Sequence, residues 1–239
     1  MLGLAALAAS AATLPFAGIG PSFAAQITSY ALALIPVALF IHGFPTLTSE
    51  LPTPRLLTFG AVCAVLGFLA ALASRPEVFD DGPRLLPLAV LYLANVLRLC
   101  AAASLGLSLA RFVTSPGVAL LIATVAAAAD LFSILAGPTK ILLREDSPAL
   151  DLLVLIFPSF GTPLGFGLGL SDFIFLALFI YMSLLLALRY RLTLLCCSSA
   201  TLLATITALA LERPLPALPF ISLCFVLVNA QNIYAAMRK

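Results

Sequence analysis

The sequence predicts an all-α polytopic membrane protein with about eight transmembrane helices, within a range of seven to nine, and three observations lead there. Of the 239 residues, 63% are hydrophobic and only 9% are charged, with a mean hydropathy of +1.19. The apolar residues fall into runs of about 20, the length that crosses a hydrocarbon core about 30 Å thick. Short segments rich in Pro, Gly and charge separate the runs. No soluble core of this size needs so little polar surface, so the bilayer is the solvent and each run must satisfy its own backbone as a helix. The expected location is integral and multi-pass, with the lipid bilayer as a partner. A net charge of +2 with no Lys/Arg cluster excludes nucleic acid as a partner class. Cys63, Cys100, Cys196, Cys197 and Cys224 lie in apolar runs without metal-ligand spacing and read as small buried hydrophobes, so no cofactor or metal is expected.

In chain order, Met1 to Ile19 is a short first span, and GPS turns it into a second from about Ala24 to Phe44, with His42 at its interfacial end. The broken loop PTLTSELPTPR leads to a third span, Leu56 to Ser74. The acidic segment RPEVFDDGPR has neither helical nor metal-loop spacing and reads as a solvated turn. The fourth span, about Leu85 to Phe112, carries Arg98 near its middle, where a cation must face water, a carbonyl or an acid. The fifth, about Val118 to Ala136, carries Asp130 beside the small residues Ala126, Ala127 and Ser133, a surface another helix can approach.

Leu152 to Phe157, between Pro148 and Pro158, is too short to span and has strand propensity, so it reads as a re-entrant piece or a strand at the membrane edge. The sixth span, about Pro163 to Leu188, carries Asp172; Gly161, Gly165 and Gly169 recur every four residues ahead of it and would strip one helix face of side chains. The seventh runs from Leu192 to Leu211. In ERPLPALPF, Pro214, Pro216 and Pro219 forbid regular helix, and the last span continues to about Ala235. Alternating spans place Arg55, Arg111, Arg189, Arg191, Arg238 and Lys239 on one side, which slightly favours that side as the interior.

Asp130 and Asp172 each stand alone in a long apolar run, and an ionisable residue at membrane depth marks a functional site by default. AAAADLFSILAGPTKIL, GFGLGLSDFIF and LPALPF, in that order, resemble the three signatures of the presenilin and signal-peptide-peptidase family of intramembrane aspartyl proteases. The resemblance covers roughly the C-terminal half. It implies a presenilin-like bundle in a single transmembrane domain, with scaffold spans over 1–114 and catalytic spans over 115–239. Asp130 and Asp172 match the catalytic aspartates; Pro216, Ala217, Leu218 and Pro219, with Gly169, Leu170 and Ser171, match positions that contact substrate. Ala129 stands where the family has tyrosine, and Ser171 where it has glycine.

The chemistry asks for such a pair independently. Hydrolysis of a peptide bond without a metal needs one group to take a proton from water and another to give one to the carbonyl oxygen, and two adjacent carboxyls sharing a proton do both. The expected substrates are transmembrane helices of other proteins, unwound at the scissile bond and paired by strand addition to Leu152 to Phe157 or to the LPALP backbone. Two other classes fit the same residues. A catalytically weak or inactive relative would serve as a binding scaffold. A small transporter or ion-binding protein would use the acids for a proton or cation, although no internal repeat is evident.

Overall fold

The computed structural model describes residues 23–74, 85–135, 153–159, 162–211, 213 and 215–238. In order these form α1 (Phe23–Thr48), α2 (Thr53–Ala73), α3 (Leu85–Ala110), α4 (Pro116–Leu135), β1 (Val154–Ser159), β2 (Thr162–Gly169), α5 (Leu170–Leu185), α6 (Tyr190–Leu211) and α7 (Leu218–Met237). All of the helices except α5 are long and apolar enough to cross a membrane. Their outward faces are apolar, and the exposed hydroxyls of Thr28, Thr58, Thr124 and Thr207 each donate to the carbonyl four residues back in the same helix. A hydroxyl bonded in this way asks nothing of hydrocarbon.

Two expectations change. Among the described residues there are six such spans and one shorter apolar helix, where eight spans were expected over the whole chain; the first of those, Met1 to Ile19, lies outside the described residues. The sixth run is not one helix: Thr162–Gly169 is a strand, antiparallel to β1, and only Leu170–Leu185 is helical. Gly165, Gly167 and Gly169 are spaced by two, the strand repeat, as well as lying within a spacing of four. Gly167 then allows the two strands to approach, because a Cβ there would run into the Val154 side chain. Of the two expectations for Leu152 to Phe157, the strand is met from Val154 onward, as β1, and Leu152 lies outside the described residues.

The chain divides into two compact units, Met1–Ser104 with Asp151–Ser171, and Leu105–Leu150 with Asp172–Lys239. In the first unit, α1 packs against both strands of the hairpin. Helix α2 buries Leu56, Gly60, Cys63, Gly67 and Ala71, a stripe at helical spacing, and turns Val62, Val65 and Leu69 outward. Its glycines admit α3: an added Cβ would lie 2.8 Å from Ser104 Cβ at Gly60 and 3.2 Å from the Ala94 carbonyl at Gly67.

In the second unit, α7 packs against both α4 and α6. Helix α5 is buried from Leu176 to Ser183, and Phe179 stacks on Phe225 of α7 with centroids 5.0 Å apart. Gly106, in the last turns of α3, lets that segment touch α5, since a Cβ there would stand 2.8 Å from Ala177 Cβ and 2.9 Å from the Leu178 amide nitrogen. The tight α5–α6 turn places Ala187 at a φ of 52°. Asn229 of α7 fastens it: Oδ1 accepts the Arg189 amide at 3.0 Å, and Nδ2 donates to Thr193 Oγ1 and the Phe225 carbonyl, each at 2.9 Å. A buried amide this fully engaged loses little by leaving water.

Candidate functional site

Helix α4 meets α7 along alanines. Ala119, Ala123 and Ala126 are buried at spacings of four and three, and Asp130 continues the same stripe four residues on. Small side chains keep the two backbones close, so a carboxyl at the end of the stripe is presented to the start of α7.

The start of α7 is set by proline. Pro216 disfavours helical geometry at Leu215, and Pro219 lacks an N–H, which is harmless only in a first turn. The helix accordingly begins at Leu218. Ala217, its cap residue, has no side-chain acceptor, so the first-turn amides need one from elsewhere. Asp130 supplies it: the Leu218 N–H donates to Asp130 Oδ2 at 3.1 Å. A carboxylate facing the positive end of a helix dipole is favourable on electrostatic grounds as well. Within the loop predicted to avoid helix throughout, Leu218 to Phe220 are therefore helical.

Asp172 occupies the first turn of α5. Like Asp130 it is half-buried, and the two carboxyls lie within electrostatic reach of each other. Ala217 and Leu218 are buried beside Asp130, whereas Pro216 and Pro219 are half-exposed. Among the described residues no three His, Cys, Asp or Glu side chains gather to hold a metal.

The remaining predicted positions lie just ahead of Asp172 in the chain. Gly169 ends β2 opposite Val154, Leu170 opens α5, and Ser171 is exposed. His42 is exposed on α1.

Arg98 finds a backbone acceptor: it is buried, and Nη1 donates to the Val154 carbonyl at 2.8 Å. One turn earlier, buried Asn95 engages Ile156 twice, accepting its N–H at 3.3 Å and donating to its carbonyl. Asn95 was missed by the sequence reading, although a polar side chain three residues from a buried cation shares its helix face and was there to be noticed.

This clamp decides which hairpin edge is open. In an antiparallel pair, backbone groups alternate between facing the partner strand and facing away. Val154 and Ile156 face α3, so their opposites, Gly169 and Gly167, point their N–H and C=O groups away from β1. The outer edge of β1, in the segment expected to receive a substrate strand, is already taken by Asn95 and Arg98. The edge of β2 lacks a backbone partner among the described residues.

No known protein family and no characterised protein matches the chain.

Proposed function

We propose that this protein is an intramembrane aspartyl protease that hydrolyses peptide bonds within transmembrane helices of other proteins, with Asp130 and Asp172 as the catalytic pair. The observation that carries the reading is the hydrogen bond from the Leu218 amide to Asp130 Oδ2. It joins two of the three sequence signatures, and the third carries Asp172, which interacts electrostatically with the same carboxylate.

In this reading one carboxyl is ionised and the other protonated. The ionised group takes a proton from a water molecule as its oxygen attacks the scissile carbonyl carbon, and the protonated group gives its proton to the carbonyl oxygen. Collapse of the tetrahedral intermediate breaks the C–N bond, with a proton delivered to the departing nitrogen. The pair titrates as a unit, so base and acid are not assigned to individual residues. The Leu218 amide fixes the orientation of one carboxyl.

The test is incubation of the protein, reconstituted in liposomes, with a single-span substrate. Cleavage by the wild type that disappears in both Asp130→Asn and Asp172→Asn supports the proposal. Intact substrate together with proton- or cation-dependent flux overturns it in favour of transport, and tight binding of uncut substrate overturns it in favour of a scaffold.

A further inference from the structure

At the end of the α4–α7 pair away from Asp130, a groove of about 470 Å³ is lined by Leu120, Val226, Ala230, Ile233, Tyr234 and Met237, with Gln231 at its side. The lining of α7 runs from Val226 to Met237, a rise of about 16 Å. One leaflet of hydrocarbon is about 15 Å deep. An apolar channel of that length along a lipid-facing helix fits one acyl chain.

Its rim is cationic. Arg189 Nη2 donates to Gln231 Oε1 at 2.6 Å, and the Arg238 guanidinium lies 4.3 Å above the Tyr234 ring. Gln231, Tyr234 and Arg238 succeed one another at spacings of three and four, so they share a face of α7. The partners of both arginines are neutral, which leaves each with its full charge and further donors. Neither makes an ion pair among the described residues, and Asp130 and Asp172 sit at the opposite ends of their helices. Arg111 and Arg191 flank the helices at the same end as Arg189 and Arg238.

We propose that this groove binds one anionic phospholipid, its acyl chain along α7 and its phosphate held between Arg189 and Arg238. The two guanidiniums supply the charge that a zwitterionic lipid does not match, and the aromatic and aliphatic wall supplies the fit for the chain. The site is independent of the aspartate pair and of what that pair does.

The experiment is native mass spectrometry of the full chain released from nanodiscs of equal phosphatidylglycerol and phosphatidylcholine. The wild type should retain phosphatidylglycerol about thirtyfold over phosphatidylcholine, as two basic residues at a membrane surface would give. Arg189→Gln with Arg238→Gln should abolish the preference, and Ala230→Phe, which fills the groove, should remove the bound lipid with both arginines intact. The Arg189 amide bond to Asn229 survives the first change because it uses backbone, and an unchanged thermal midpoint verifies folding. Equal retention of the two lipids by the wild type overturns the proposal, as does a preference that persists in the double variant. Lipid still bound to Ala230→Phe, or displaced by inorganic phosphate, overturns the acyl-chain assignment.

Discussion

Leu218 and Asp130 are 88 residues apart in the chain and are joined by a single hydrogen bond between a backbone amide and a side-chain oxygen. Asparagine at position 130 keeps an acceptor for that amide but cannot exchange protons. Asp130→Asn should therefore unfold near the wild-type temperature while cleavage falls by at least about 100-fold. Asp130→Ala should lose cleavage and also about 1–3 kcal/mol of stability, because the Leu218 N–H is left without an acceptor. Thermal unfolding in detergent beside a cleavage assay checks both; equal midpoints for the two variants would mean the bond carries no weight.

Leu218→Pro removes the donor. Proline is tolerated at the first position of a helix, so α7 should persist while Ala217, now before a proline, leaves its αR geometry and Asp130 loses the amide that orients it. Cleavage should drop by at least about tenfold, with the helical circular-dichroism signal retained. Full activity would show that the carboxyl is held by something else.

The hairpin offers a double-mutant cycle. Gly167→Ala should weaken strand pairing because its methyl group meets Val154, and Val154→Ala should restore part of the loss. A coupling of about 0.5–3 kcal/mol between the two sites is expected. Purely additive effects would place the strands further apart than described. Asn95→Leu should speed hydrogen exchange at the Ile156 amide, which loses its acceptor, and leave the Leu155 amide protected by β2.

Glycines give a paired control on packing. Gly106→Ala should lower the thermal midpoint because its Cβ meets α5 backbone, whereas Gly43→Ala has open space around it and should be neutral or slightly stabilising. The order of the two midpoints is the readout.

The spans were legible because hydropathy and length are local, and six of them stand within a few residues of their expected bounds. The hairpin was half legible. Leu152 to Phe157 announced a strand through its β-branched and aromatic residues, but Gly165, Gly167 and Gly169 satisfy a helical and an extended spacing alike, and only pairing with Val154 and Ile156 decides between them. The two aspartates stood out because charge is rare in these runs. The acceptor of Arg98 did not, because a backbone carbonyl 56 residues away carries no sequence signal. The open edge of β2 was illegible for the same reason, since it follows from what already covers β1.

The shortness of α5 sets a depth. Its 16 residues rise about 24 Å, less than the roughly 30 Å of oil a lipid-facing span must cross, and this helix escapes the mismatch by being sheathed in protein. Asp172, in its first turn, stands about 20 Å along the axis from its far end. In the proposed protease reading, with this helix upright in the bilayer, a bond cut beside Asp172 would divide a spanning peptide unequally: one product would keep about two-thirds of its apolar length and stay embedded, while the stub on the other side would be too short to remain anchored.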